Sequence, residues 1–500
     1  MALESTYPSC LHCTRTKRFS PADDPRSDST TKSPGQIRSH PQERSIPVES
    51  WLASGTLPGG KAKMKTEPRA GFPTIGSPAQ GLAGATLGFF IGFAAVSLFG
   101  PTAKSLKGIL GLSPLEVGFL VAAPSLSGSL LRIPFSAWAD TTGGKKPFLV
   151  LLLLSIVGMA GLFLTLRSYY PARMTPSFYP LILLLGVLCG CGIATFSVGI
   201  GQVAYWFPKA RQGTALGIYA GIGNLAPGIF TLLLPVALVA MGLTWCYLAW
   251  LAFLAGGAVV YAVIGRNAWY FQMLARGATA GEARAESALR GQEIFPSGNL
   301  VDSLLLSARN WKTWALVAIY FTTFGGFIAM TAWLPVYWTS FYSVTPILAG
   351  TLAGVYSIVT SLVRVGGGYL SDRIGGETTG LFGLGIMLAG AILMTLSGDF
   401  SLSIAAEILM ATGMGVANAA VFKLVAQEIP EAVGGAAGWV GGLGAFGGFA
   451  IPPLMGVIVQ AQGIEGYAHG FVVFICLAVV SLLLVGILKR KRAKAPAPAI

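Results

Sequence analysis

Two arginines, Arg132 and Arg364, stand in otherwise apolar stretches, each eight residues before an aspartate, Asp140 and Asp372. At about 1.5 Å per residue of helix, that spacing places each guanidinium roughly 12 Å from its aspartate. Neither arginine has a carboxylate within a turn or two. The middles of the long apolar runs hold none either, with Glu116 and Glu407 read as lying near the ends. A guanidinium that deep in an apolar layer is costly and calls for an anion. Its planar fork of N–H donors suits a planar oxyanion. Asn224, a polar residue in an apolar helix, is a further candidate donor to such an anion. Lys423, in ANAAVFKLV seven residues before Pro430, is a third cation that one monovalent anion does not account for. It is a candidate proton carrier, because burial beside other cations makes an ammonium release its proton more readily.

The elements that must hold these residues are membrane helices. The chain has 500 residues, of which 53% are apolar and 11% charged, with mean hydropathy +0.67. Soluble proteins average about 25% charged residues. Apolar runs of about 20 residues, the length that crosses a bilayer, recur through the sequence. Six are expected in a first half, over about 81–105, 115–138, 147–167, 179–206, 212–240 and 244–264. Six more are expected in a second half, over about 312–340, 345–370, 378–397, 401–428, 435–460 and 468–488. The fold class is therefore an all-α membrane protein of twelve transmembrane helices in two six-helix halves, 79–264 and 311–488. A polar linker, 265–310, joins the halves and could form a short amphipathic helix on the membrane surface. Residues 1–78 have a disordered composition, and Met64 opens a shorter tail that suits a natural start. A basic tail, 489–500, ends the sequence.

The halves repeat each other. LLRIPFSAWADTTGG (130–144) aligns without gaps on LVRVGGGYLSDRIGG (362–376). GTALGIYAGIGNLAPG (213–228) aligns, 221 residues on, with GGAAGWVGGLGAFGG (434–448). Gly217, Gly221 and Gly223 fall on Gly438, Gly442 and Gly444. In a bilayer such small residues let a neighbouring helix approach the backbone closely. Ala445 stands where the first stripe has Asn224, so the halves are not equivalent at the anion.

The formal charge of +14 does not imply nucleic acid in a chain of this kind, since its distribution is what informs. Outside the N-terminal tail, sixteen Lys and Arg fall on the side of the termini and four (Lys104, Lys107, Arg167, Arg173) on the other. The positive-inside rule makes both termini of this multi-pass cell-membrane protein cytoplasmic. Cys10 and Cys13 form a lone CxxC, and His12, His40 and His469 are scattered. No metal cluster, cofactor motif or nucleophile–base pair emerges, so an enzyme is not expected. A sensor or scaffold would want a folded soluble domain, which the tails and one short linker do not offer.

Residues 80–490 resemble the nitrate/nitrite porter family of the major facilitator superfamily. The likeness rests on the 6+6 repeat, the D-x-x-G-G loops, and the glycine signatures GIYAGIGNLAPG (217–228) and GGLGAFGGFAIPP (441–453), with YWFPKARQGTALG leading into the first. The resemblance implies alternating-access transport of nitrate or nitrite by a monomer, without cofactor. Arg132 and Arg364 would sandwich the anion, with Phe196, Tyr320 and Phe324 as aromatic neighbours, and Asp140 and Asp372 would latch the cytoplasmic side. Exchange of nitrate for nitrite and proton symport both remain open, as do other small anions such as formate, cyanate or an organic carboxylate.

Overall fold

The structure, a computed structural model, describes residues 72–296, 300–429 and 432–493. Met64, the CxxC pair, His12, His40 and nearly all of the expected N-terminal tail lie outside the described residues, as does 494–500.

Helix starts follow local chemistry. Helix α1 (Pro78–Ser97) opens with Ser77 accepting from the Gln80 N–H and proline in the first turn. In α2 (Pro114–Thr142), Ser113 and Glu116 cap one another reciprocally, which satisfies two donors that the helix would leave bare. Helices α3 (Lys145–Tyr169) and α4 (Pro176–Ala204) follow. The next helical stretch runs from Lys209 to Ile264, 56 residues. Its length of about 84 Å is nearly three times the hydrocarbon thickness of about 30 Å. Gly242, at φ 75° and ψ 168°, folds it back into α5 (209–241) and α6 (243–264). That conformation belongs to glycine. The second half comprises α7 (Trp311–Phe341), α8 (Pro346–Ile374), α9 (Gly376–Leu396), α10 (Phe400–Glu428), α11 (Val433–Leu443, continued by Gly447–Gln462) and α12 (Val472–Ala493). With the break at Gly242 counted, twelve crossings result, the arrangement expected from the hydropathy.

One boundary differs. The first span was expected to reach about 105, whereas the helix ends at Ser97 and a separate short helix occupies Ala103–Leu110. Pro101 explains the stop, because proline disfavours helical backbone in the residue before it. The polar linker forms three short helices, Trp269–Leu274, Ala280–Leu289 and Leu300–Ala308. Thr279 and Glu282 box the start of the second, and hydrogen bonds from the Thr279 N–H and hydroxyl hold the Glu282 carboxyl below its ordinary range. The third is fastened to α11, where Trp439 Nε1 donates to the Leu304 carbonyl at 3.0 Å.

Both ends of the described chain meet one face. Gln272 of the linker donates to the Ile75 carbonyl at 2.8 Å, and Arg492 of α12 pairs with Glu377 of α9 at 2.6 Å. Between the halves, the packing exchanges partners. Gly228 and Gly354 bring α5 against α8, and Gly118 brings α2 against the Pro452 carbonyl of α11. Each glycine-striped helix thus lies against the arginine helix of the other half.

Candidate functional site

Arg132 is 1% exposed. Its Nε donates to the Gly128 carbonyl one turn back at 3.0 Å, and its Nη1 crosses to the Gly441 carbonyl of α11 at 3.1 Å. Its Nη2 is buried without a partner, as is Nη1 of Arg364. Among the described residues no carboxylate forms an ion pair with either guanidinium. Backbone carbonyls therefore take part of the Arg132 fork while leaving its charge uncompensated.

Aromatic rings fix both guanidiniums. The Arg132 Cζ sits 4.9 Å from the Phe196 ring centre and 5.1 Å from that of Phe324, and the Arg364 Cζ lies 5.6 Å from Phe324. Phe324 is thus shared by the two charges, an arrangement its negative ring face favours. Tyr320 stacks on Phe324 at 4.9 Å and 13°. The Tyr320 hydroxyl lies beside both guanidiniums and within hydrogen-bonding reach of Arg364, without a well-aligned bond to any group. Asn224 is 1% exposed, with its side-chain Oδ1 also unpartnered. Its backbone carbonyl accepts from Ser361 of α8 at 2.9 Å, one turn before Arg364. Five of the six residues named for the anion from sequence converge through these contacts, and the Ser361 bond ties the sixth, Asn224, to the Arg364 helix.

Local departures from regular helix cluster here. Helix α7 widens to π geometry over Phe321–Gly325, α4 tightens over Cys191–Ala194 just before Phe196, and α1 tightens over Ala94–Ser97 just after Phe93. Such segments shift side chains off the regular helical register and recur at functional positions. The widened turn lets Tyr320 and Phe324 stack face to face on one side of α7. Sequence reasoning did not name Phe89, Phe93 or Tyr219, whose rings pack on Phe196 and Phe324. Tyr219 also donates to the Phe196 carbonyl at 2.9 Å. Its place inside the first glycine signature was the available signal.

Arg132 of one half and Arg364 of the other thus meet at a single ring, Phe324, at the junction of two similar halves. The Major Facilitator Superfamily profile matches residues 85–452 and 342–499. A probable nitrate/nitrite antiporter NarK1 of Thermus thermophilus is 31% identical over 425 residues, covering 80% of this chain and 88% of that protein. The chain belongs to the nitrate/nitrite porter family of the major facilitator superfamily. The probable nitrate transporter NarT of Staphylococcus epidermidis is 28% identical, covering 82% and 96% of the two chains, and a nitrite extrusion protein of Bacillus subtilis is 28% identical, covering 75% and 85%. Among solved structures, the xylose transporter XylE of E. coli superposes with a TM-score of 0.63 at 14% identity, covering 82% of this chain and 98% of that one. Its likeness concerns the fold. The protein is a multi-pass membrane transporter and not an enzyme.

The remaining candidates of this porter lie elsewhere. Lys423 donates to Asp372 Oδ1 at 3.0 Å and to the Ser371 carbonyl at 2.5 Å, so it is paired at the end of α8 that faces the termini. Asp140 accepts from the Tyr205 hydroxyl at 2.6 Å. Each aspartate therefore clasps a residue at the end of a neighbouring helix in its own half, not across the halves. The six stripe glycines divide. Methyl groups added at Gly223, Gly442 and Gly444 would strike Phe89, Ile133 and Tyr320, and one at Gly438 would crowd Leu304. Gly221 has only an ordinary contact with Val365, and Gly217 faces open space. Helix packing accounts for the first four in this conformation and not for Gly217. Glu407 lies toward the outer end of α10, as read from sequence, and is 1% exposed and enclosed by α7 and α10.

Proposed function

We propose that this protein carries nitrate or nitrite across the cell membrane by alternating access, with the anion held between Arg132 and Arg364. One observation carries the reading: the buried Arg132 guanidinium and the partly buried Arg364 guanidinium flank one phenylalanine, each keeps a buried N–H group without a partner, and among the described residues no carboxylate pairs with either. Nitrate supplies the missing charge in a planar array of acceptors that the forks match. Tyr320 donates a further hydrogen bond, and Asn224 turns its amide N–H toward the anion. Without an anion the two cations repel each other across Phe324, so reorientation of the empty carrier is slow and exchange is favoured. Helices α5 and α11 slide along α8 and α2, and the open surface at Gly217 receives a neighbour in the other conformation. The Asp140–Tyr205 and Asp372–Lys423 clasps tie helix ends together within each half on the cytoplasmic side, where both termini lie, and the carrier works as a monomer. Lys423 serves that clasp and carries no proton.

Counterflow into proteoliposomes loaded with nitrite tests the reading. Labelled nitrate is expected to enter and to be displaced by unlabelled nitrate and nitrite, but weakly by formate and cyanate. A protein that moves formate as fast as nitrate would shift the assignment to a general carboxylate carrier.

A further inference from the structure

The carboxyl of Glu407 sits about 10 Å into α10 from its start at Phe400, on the side of the membrane opposite the termini. Trp338 of α7 donates its indole N–H to Oε2 at 2.8 Å, and Oε1 is buried with no partner. Among the described residues no charged group faces it from any helix packed on α10. In α7 its neighbours are Tyr337 and Trp338, and Lys312 lies at the other end. Tyr356 is the titratable group of α8 within electrostatic reach, while Arg364, Asp372 and Arg373 lie further toward the termini. The one charged residue of α9, Glu377, is likewise at the terminal end, and α11 has none over 433–462. An ionised carboxylate in that setting would keep one oxygen with no donor and its charge with no counter-ion, which is strongly unfavourable. The packing therefore holds the neutral acid.

A hydroxyl cluster lies one turn outward of this acid, with no hydrogen bond joining it to the Glu407 oxygens among the described residues. Ser403, four residues earlier on the same face of α10, contacts the Tyr342 hydroxyl at 2.7 Å and accepts from Tyr337 at 3.5 Å. Tyr342 also donates to the carbonyl of exposed Asp399 at 3.1 Å. We infer that Glu407 is a proton-binding site of the transport cycle, filled from the outer side through Tyr342 and Ser403, and that α7 closes over α10 on that side only when it is filled. The site lies outside the anion-binding residues. It rests on the orientation and anion transport proposed above, and it adds a proton requirement to the outer closure.

The test is nitrate/nitrite exchange in oriented proteoliposomes at fixed internal pH with external pH varied, comparing wild type, Glu407→Gln, Tyr342→Phe and Arg132→Ala. In the wild type, exchange is expected to fall about tenfold per pH unit once the carboxyl ionises in the open state, as for a single required proton. Glu407→Gln, permanently neutral, stays active and flat across the same range. Tyr342→Phe keeps the wild-type profile at equilibrium but responds more slowly to an external acid jump. An unchanged pH profile in Glu407→Gln overturns the proposal, and so does a variant that binds nitrate but cannot exchange it. Infrared spectroscopy gives a readout independent of transport: the wild type should show a protonated-carboxyl band at neutral pH that Glu407→Gln lacks, and absence of that band in the wild type also overturns it. Wild-type protein that exchanges no anion at any pH, and matches Arg132→Ala, would refute the anion reading, while the infrared band still decides the state of Glu407.

Discussion

Charge and hydrogen-bond direction govern the site residue by residue. Arg364→Lys keeps the charge but loses the fork, so one of two parallel hydrogen bonds to the anion disappears. Charge-assisted bonds contribute about 1.5–3 kcal/mol each, so nitrate affinity should weaken by roughly ten- to a hundredfold, as measured by binding to detergent-solubilised protein. Tyr320→Phe removes a hydroxyl that approaches the Arg364 guanidinium without a well-aligned hydrogen bond in the protein. Its folded stability should be unchanged, whereas nitrate affinity should drop about fivefold, corresponding to about 1 kcal/mol for one neutral donor. If nitrate affinity were untouched in Tyr320→Phe, that hydroxyl would not reach the anion. Arg132 and Arg364 were legible in the sequence because a charge in an apolar run is conspicuous without any structure. The place of Glu407 toward the outer end of its helix was legible, but its burial was not, since only the enclosing α7 aromatics show how dry its surroundings are.

The same physics acts on helices through their glycines. A methyl group at Gly190 of α4 would run into the Pro124 carbonyl of α2, and backbone cannot yield as a flexible side chain can. Gly190→Ala should lose about 1–3 kcal/mol of stability, the range for overpacking, seen as a lower thermal-unfolding midpoint. Gly217→Ala meets nothing in this conformation and should leave that midpoint within about 0.5 kcal/mol of wild type. If Gly217 receives a neighbouring helix in the other conformation, the same variant should slow exchange. Unaltered exchange would mean that Gly217 takes no part in the movement. The glycine spacing announced close approach but could not say which glycines are filled now, because that depends on which conformation is present. Irregular turns in α1, α4 and α7 left no comparable mark, since Thr and Gly residues near Phe324 fit regular helix as well.

For the molecule as a whole, the repeat is the organising fact. The halves exchange partners, α5 with α8 and α2 with α11, so each arginine helix rests on the glycine helix of the other half. The two clasps, Asp140–Tyr205 and Asp372–Lys423, occur in both halves at the face of the termini, but each stays within its own half. Lys423 is one-quarter exposed and Asp372 largely exposed, and exposed pairs contribute little, about 0–1 kcal/mol. Lys423→Ala should therefore leave nitrate affinity and the pH response intact and alter turnover only a few-fold. Loss of the pH response in that variant would return the proton to the lysine. The twelve crossings and the two halves could be read from hydropathy and self-similarity, both properties of composition along the chain. The cross-half pairing could not, because nothing local in a glycine stripe names its partner.

Nitrate/nitrite exchange by purified protein carrying Arg132→Ala or Arg364→Ala tests the central claim most directly. Truncating one partner of a buried charged contact costs about 2–5 kcal/mol, so each variant should fall by roughly thirtyfold to several thousandfold in transport efficiency while remaining folded. Wild-type exchange in either variant would contradict an anion site built on these two arginines.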